Sequence, residues 1–90
     1  EVRARAARLV AERGRVIEAL RAAGWRTPDS AANFVWLRAE PGLHAQLMDS
    51  FDAADILVRG YPGDGIRISL ADPATNDRVL RVLADRSRFG

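Results

Sequence analysis

Apolar residues recur at helical spacing in three segments of the chain. The first segment covers residues 2–24, and its apolar stripe is formed by Ala6, Leu9, Val10, Ile17 and Leu20. The second runs to about Ala54 and steps by four through Leu43, Leu47 and Phe51. The third carries Val79, Leu80 and Leu83. This spacing predicts three amphipathic helices, each with one face against a common core.

Signals for helix ends agree with these segments. Gly24 fits the position just after a helix, where glycine readily adopts a left-handed conformation. Asp72 and Pro73 form a carboxylate cap followed by a proline in the first turn, which predicts the start of the third helix. No capping residue precedes the first helix, so we expect Glu1 to lie inside a longer helix of a larger protein.

Three shorter apolar runs predict β-strands. Phe34 and Trp36 alternate with Val35 and Leu37, so both faces of this run are apolar and it is expected to be a central strand. Residues 56–59 and 66–70 predict two further strands joined by the turn "YPGDG". We expect the turn glycines, Gly63 and Gly65, to supply positive φ angles.

The order of elements is α-β-α-β-β-α, which predicts an α+β fold. A small, mainly antiparallel sheet with all helices on one face is the simplest way to bury the apolar stripes. We interpret residues 1–24 as the end of a long connecting helix and residues 25–90 as a small α/β sandwich, together one domain. Ninety residues allow only a thin core.

Composition excludes several kinds of site. All 14 basic residues are arginine, and there is no cysteine, so neither a disulfide nor a thiolate metal site can form. A net charge of +2 is a weak argument for nucleic-acid binding. His44 and the carboxylates match no metal-ligand spacing, and no apolar run has membrane-spanning length. Without lysine the chain cannot form the covalent bond that pyridoxal phosphate requires in its enzymes.

Two arginines raise a question of charge repulsion. If the hairpin is symmetric about Gly63, Arg59 lies directly across from Arg67 on the sheet face that points away from the helices. Like charges in such a pair cost roughly 0.2–1 kcal/mol. The arrangement is reasonable if an anion binds between the guanidinium groups, which form strong paired hydrogen bonds with carboxylates and phosphates. The alternative is that both arginines lie on a solvated face and bind nothing.

The remaining polar and aromatic residues are interpreted structurally. We expect His44 to be a surface residue of the second helix, and Asn33 to form hydrogen bonds at a strand end. Trp25 and Trp36 are predicted to fill the core.

Several short motifs together resemble a known family. They are "S-x-x-N-F" from Ser30, "L-V-R" ending at Arg59, "G-I-R-I-S" around Arg67 and "N-D-R-x-L" from Asn76. Their order and spacing resemble the C-terminal small domain of histidinol-phosphate aminotransferases, which are fold-type I pyridoxal-phosphate enzymes. The resemblance covers essentially all 90 residues.

The resemblance implies roles for both arginines. Arg67 would bind the α-carboxylate of the substrate, and Arg59 would lie beside the same pocket, near the distal phosphate of histidinol phosphate. The fragment would contain no catalytic, cofactor-binding or metal-binding residue and would bind no pyridoxal phosphate by itself. Catalytic lysine and cofactor would belong to a large domain of the same chain. Tyr61 is a candidate for the pocket rim.

The same resemblance implies a setting for the parent enzyme. It would be a cytoplasmic homodimer of histidine or other amino-acid biosynthesis, with no nucleic-acid or membrane partner, acting on amino acids or amino phosphates and 2-oxo acids. Aminotransferases of aromatic amino acids and a phosphothreonine decarboxylase of cobalamin synthesis share this domain. The short segment between Arg59 and Arg67 leaves the choice among these substrates open.

Two other classes of protein remain as alternatives. One is a free-standing module that recognises an anion or a nucleic acid through the arginine-bearing sheet face. The other is a purely structural dimerisation domain.

Overall fold

A computed structural model describes residues 2–30 and 32–89 of the chain. We predicted that Glu1 lies inside a longer helix, but this residue is outside the described residues. The elements are, in order, α1 (Val2–Ala22), β1 (Phe34–Arg38), α2 (Pro41–Ala53), β2 (Arg59–Tyr61), β3 (Gly65–Ser69), α3 (Pro73–Val82) and a 3-10 turn (Arg86–Arg88). The predicted α+β order is therefore confirmed.

The three strands form one antiparallel sheet in the order β1-β3-β2. The prediction that β1 is central was wrong, because β3 occupies the middle and β1 lies at one edge. The prediction rested on the apolar side chains of Phe34 and Trp36, which suggested that both faces of β1 are covered. These two side chains are only half-buried and lie on the face without helices. The second strand also begins later than predicted, at Arg59 rather than Ile56.

The core lies between the other sheet face and the three helices. Val35, Leu37, Ile66 and Ile68 point into it from the sheet and are at most 2% exposed. The stripe of α2 is buried as predicted, and Phe51 is its largest fully buried side chain. Only the second half of the α1 stripe is buried, since Leu9 and Val10 are 41% and 58% exposed. None of the described helices combines the length and apolarity needed to span a membrane.

The end of α1 fixes the next segment against α3. Gly24 has a φ of +100°, and the backbone N–H groups of Gly24 and Trp25 donate to the carbonyls of Arg21 and Leu20. This left-handed ending, predicted at Gly24, pairs the carbonyl of Arg21 and gives the carbonyl of Leu20 a second donor beside the Ala23 N–H. Trp25 then enters the core and donates from Nε1 to the carbonyl of Leu83 at 2.8 Å. The tryptophan thus fills the core as predicted and ties the end of α1 to the end of α3.

A polar network joins α1 to the start of α3. The carboxylate of Glu12 accepts two hydrogen bonds from Arg15 and one from the side-chain amide of Asn76 at 2.8 Å. Arg15 also forms an ion pair with Asp77 at 2.9 Å. These bonds lower the pKa of Glu12 from 4.5 to about 2, with the contribution of Arg15 the largest, followed by that of Asn76.

This network predicts a loss of stability in acid. The pKa of Glu12 is lower in the folded chain than in the unfolded chain. Its contribution is therefore complete above pH 4.5 and is lost as the pH falls toward about 2. We expect about 1 kcal/mol, because Arg15 is 45% exposed and its interaction is screened by solvent. Urea unfolding of Glu12→Gln should lack this part of the pH dependence.

Glu18→Gln, which changes an exposed glutamate of the same helix, serves as the control and should keep the wild-type dependence. An identical pH dependence in wild type and Glu12→Gln would contradict the assignment.

Candidate functional site

The candidate site is the sheet face without helices, here called the open face. The alternation of each strand puts on it Phe34, Trp36, Arg38, Arg59, Tyr61, Gly65, Arg67 and Ser69. Three aromatic rings and three guanidinium groups therefore share one small surface. The surface has a tightly packed base, since the opposite side chains of β1 and β3 are buried in the core.

The predicted pairing of the two arginines is confirmed. Arg59 is the cross-strand partner of Arg67 in the antiparallel β2–β3 pair. The register follows from a three-residue loop, residues 62–64, closed by a hydrogen bond from the Asp64 N–H to the Tyr61 carbonyl at 2.9 Å. Gly63 in this loop has a φ of +86°, as predicted.

Gly65 does not have the positive φ that we predicted. It is buried at the start of β3, and a Cβ there would collide with the carbonyl oxygen of Leu37 and lie 2.7 Å from the ring of Trp36. Glycine is needed because the backbone of β1 and an aromatic ring both approach closely. The ring of Trp36 crosses Gly65 and contacts Tyr61, with centroids 5.6 Å apart. Trp36 is therefore part of the open face, and the prediction that it fills the core was wrong.

The two guanidinium groups lean apart on their shared face. That of Arg67 lies over the Phe34 ring, 5.2 Å from its centroid, and that of Arg59 lies over the Tyr61 ring at 5.8 Å. Phe34 pairs with Ser69, away from the turn, whereas Tyr61 pairs with Gly65, beside the turn. The cations therefore point in opposite directions along the strands, which reduces the repulsion expected of a direct pair.

Both cations lack a carboxylate partner among the described residues. Arg15 and Arg21 form ion pairs at 2.7–3.0 Å, but Arg59 and Arg67 form none within 4.0 Å in the described part of the chain. Arg67 is half-buried and Arg59 is exposed. Their charges are thus available to solvent or to an external anion, which agrees with both interpretations from the sequence.

A recess of about 720 Å³ adjoins the open face at Trp36 and Arg38. Its other lining residues are Arg21, Trp25, Arg26, Thr27, Pro28 and Asp64. Neither Arg59 nor Arg67 lines it, so this recess is not the predicted anion pocket.

His44 was predicted to be a surface residue, but it is half-buried under β2. Its Nε2 atom is buried without a hydrogen-bond partner among the described residues. A Cβ at Gly60 would lie 2.7 Å from this nitrogen and 3.0 Å from the sulfur of Met48. The glycine therefore lets the strand that carries Arg59 pack closely on α2. No cluster of three or more potential metal ligands occurs in the described residues.

The "N-D-R-x-L" motif has a structural explanation. Asn76 is buried, and its side chain accepts from the Ala71 N–H and donates to the Ala71 carbonyl and to Glu12. The guanidinium of Arg78 donates to the carbonyl of Ala54 at the end of α2, at 2.7 Å. The motif thus joins α3 to the other two helices and lies away from the open face. The prediction for Asn33 is confirmed for the backbone, since its carbonyl accepts from the Leu70 N–H at 2.9 Å.

The chain is similar to aromatic amino acid aminotransferases. It is 42% identical over 82 residues to the enzyme of Streptomyces coelicolor, 47% over 81 residues to that of Mycobacterium ulcerans, and 48% over 81 residues to that of Rhodococcus jostii. These alignments cover 91%, 90% and 89% of this chain, but only 23%, 22% and 22% of the relatives. The chain therefore spans less than a quarter of their length. No protein-family model matches it.

These relatives confirm the aminotransferase resemblance but not the histidinol-phosphate type. They are named for aromatic amino acids, which was one of the substrate classes left open by the sequence. Over about nine-tenths of its length, the chain is thus similar to one segment of aromatic amino acid aminotransferases.

Proposed function

We propose that this chain is the small domain of a pyridoxal-phosphate-dependent aminotransferase that acts on aromatic amino acids. We call the longer protein the parent enzyme. In it, Arg67 binds the α-carboxylate of the substrate, and Arg59 binds the distal carboxylate of an acidic partner such as glutamate. The observation that carries this proposal is the pair of arginines on the open face, which has no carboxylate partner in the described residues.

The chemistry of the substrates favours aromatic amino acids over histidinol phosphate. An aromatic amino acid and glutamate both carry an α-carboxylate, so one arginine in a fixed position can serve both half-reactions. Histidinol phosphate lacks an α-carboxylate, and its phosphate would require the same arginines to accept a different group in a different place. The rings of Phe34, Trp36 and Tyr61 also provide an apolar, aromatic surface beside the cations.

The cofactor would be bound elsewhere in the parent enzyme. Pyridoxal phosphate withdraws electrons from the substrate so that the amino group can be transferred, and it is held through a lysine amine. This chain has no lysine, so the residues present do not fit covalent attachment of the group. The contribution of the 90 residues is to bind and orient the substrate carboxylate.

An assay of the parent enzyme tests the function. With pyridoxal phosphate and 2-oxoglutarate supplied, we expect transfer of the amino group from phenylalanine and tyrosine, followed as glutamate formed. The same assay with histidinol phosphate as donor should be at least about tenfold less efficient in kcat/KM, as expected when one charged contact is not matched. Activity with histidinol phosphate but with neither amino acid would show that histidinol phosphate, rather than an aromatic amino acid, is the donor. Inactivity with all three donors would contradict the proposed aminotransferase function.

A further inference from the structure

Phe34 and Arg67 are diagonal neighbours on the open face. Phe34 in β1 pairs with Ser69 in β3, two positions from Arg67, and both side chains are half-buried. The guanidinium carbon of Arg67 is 5.2 Å from the centroid of the phenyl ring. This distance is within the range in which the negative face of an aromatic ring attracts a cation.

A phenyl ring orients a cation in a different way from a carboxylate. The ring's quadrupole restricts where the guanidinium rests but does not neutralise its charge, and it occupies none of the five N–H donors in the plane of the fork. A carboxylate such as Glu12, which binds Arg15 through both oxygens, uses those donors and would compete with an incoming anion. The open face therefore presents Arg67 beside the Phe34 ring with its hydrogen-bonding edge available.

We propose that Phe34 is a positioning residue for Arg67. The ring holds the guanidinium away from Arg59, in a position from which it can donate hydrogen bonds to the substrate carboxylate. Less conformational entropy of the Arg67 side chain is then lost when the substrate binds. This inference rests on the proposed role of Arg67 in the parent enzyme. It assigns no contact between Phe34 and the substrate.

Steady-state kinetics of the parent enzyme with phenylalanine and 2-oxoglutarate test this role. Phe34→Leu removes the ring face, and we expect KM for phenylalanine to rise about three- to fivefold, the size expected for one cation–π contact, with kcat changed less than about twofold. Phe34→Tyr keeps the ring and should restore the wild-type KM. In an Arg67→Gln background, Phe34→Leu should add no further increase, since no cation remains to be oriented.

Structural damage and failure of the proposed function give different results. A merely structural role would lower kcat through loss of folded enzyme, and the effect would persist in the Arg67→Gln background. If Phe34→Leu does not fold, as judged by thermal melting, Phe34→Met provides the same loss of the ring with a longer side chain. The inference is overturned if KM is unchanged in whichever of the two Phe34 variants folds, although Arg67→Gln raises KM. If Arg67→Gln itself has no effect, the proposed role of Arg67 fails, and the inference fails with it.

Discussion

Replacing Arg67 with glutamine in the parent enzyme is expected to lower kcat/KM for phenylalanine and for glutamate by about two to three orders of magnitude. Loss of one partner in a hydrogen-bonded charge pair that is shielded from water costs about 2–5 kcal/mol. Both substrates should be affected alike because both carry an α-carboxylate. The protein should remain folded, since the Arg67 side chain lies on the open face outside the core.

Two further variants distinguish the contribution of the Arg67 charge from that of its planar geometry, and the role of Arg67 from that of Arg59. Arg67→Lys keeps the charge but loses the planar fork, so we expect an intermediate loss of about tenfold. Arg59→Gln is the matched control at the paired position and should raise KM for glutamate and 2-oxoglutarate while changing KM for phenylalanine little. Steady-state kinetics with each substrate distinguish these outcomes. Near wild-type kinetics of Arg67→Gln with both amino acids would contradict the assignment.

The second large effect is expected in stability rather than catalysis. Replacing Asn76 with alanine should lower the free energy of unfolding of the chain by about 1–3 kcal/mol, because it leaves the Ala71 N–H without its side-chain acceptor and removes one of the three hydrogen bonds that Glu12 accepts. Small domains have only about 5–15 kcal/mol of stability in total, so this is a large fraction. Equilibrium urea unfolding followed by circular dichroism measures the change.

An exposed asparagine provides the control for this measurement. The Asn33 side chain is exposed, so Asn33→Ala should change the stability of the chain by less than about 0.5 kcal/mol. Equal midpoints of unfolding for Asn76→Ala and the wild type would show that the buried amide network contributes little. The comparison also tests the structural interpretation of the "N-D-R-x-L" motif, because a residue that only contacted substrate would leave stability unchanged.

Local patterns predicted the parts of the fold that depend on neighbours in sequence. The buried stripe of Leu43, Leu47 and Phe51 follows directly from helical periodicity, and the pairing of Arg59 with Arg67 follows from alternation and a short turn. The Asp72 cap was predicted for the same reason, and its side chain accepts from the Thr75 N–H.

Contacts between distant segments could not be read from the sequence. The bond between Asn76 and Glu12 joins residues 64 positions apart, and the position of Phe34 beside Arg67 depends on β1 pairing with β3 rather than β2. Alternation alone put Phe34 and Trp36 on one face, but it is the burial of the opposite face under the helices that shows this face to be open. Gly65 was misread because a glycine can be required by a crowded environment as well as by a positive φ angle.

A crystal structure of the parent enzyme with pyridoxal phosphate and 3-phenylpropionate, an unreactive analogue of phenylalanine, would test the role of Arg67 most directly. We expect both carboxylate oxygens of the analogue to lie about 2.7–2.9 Å from guanidinium nitrogens of Arg67, which should still rest against the Phe34 ring. A carboxylate bound by other residues, with Arg67 turned to solvent, would contradict the proposed function of the open face.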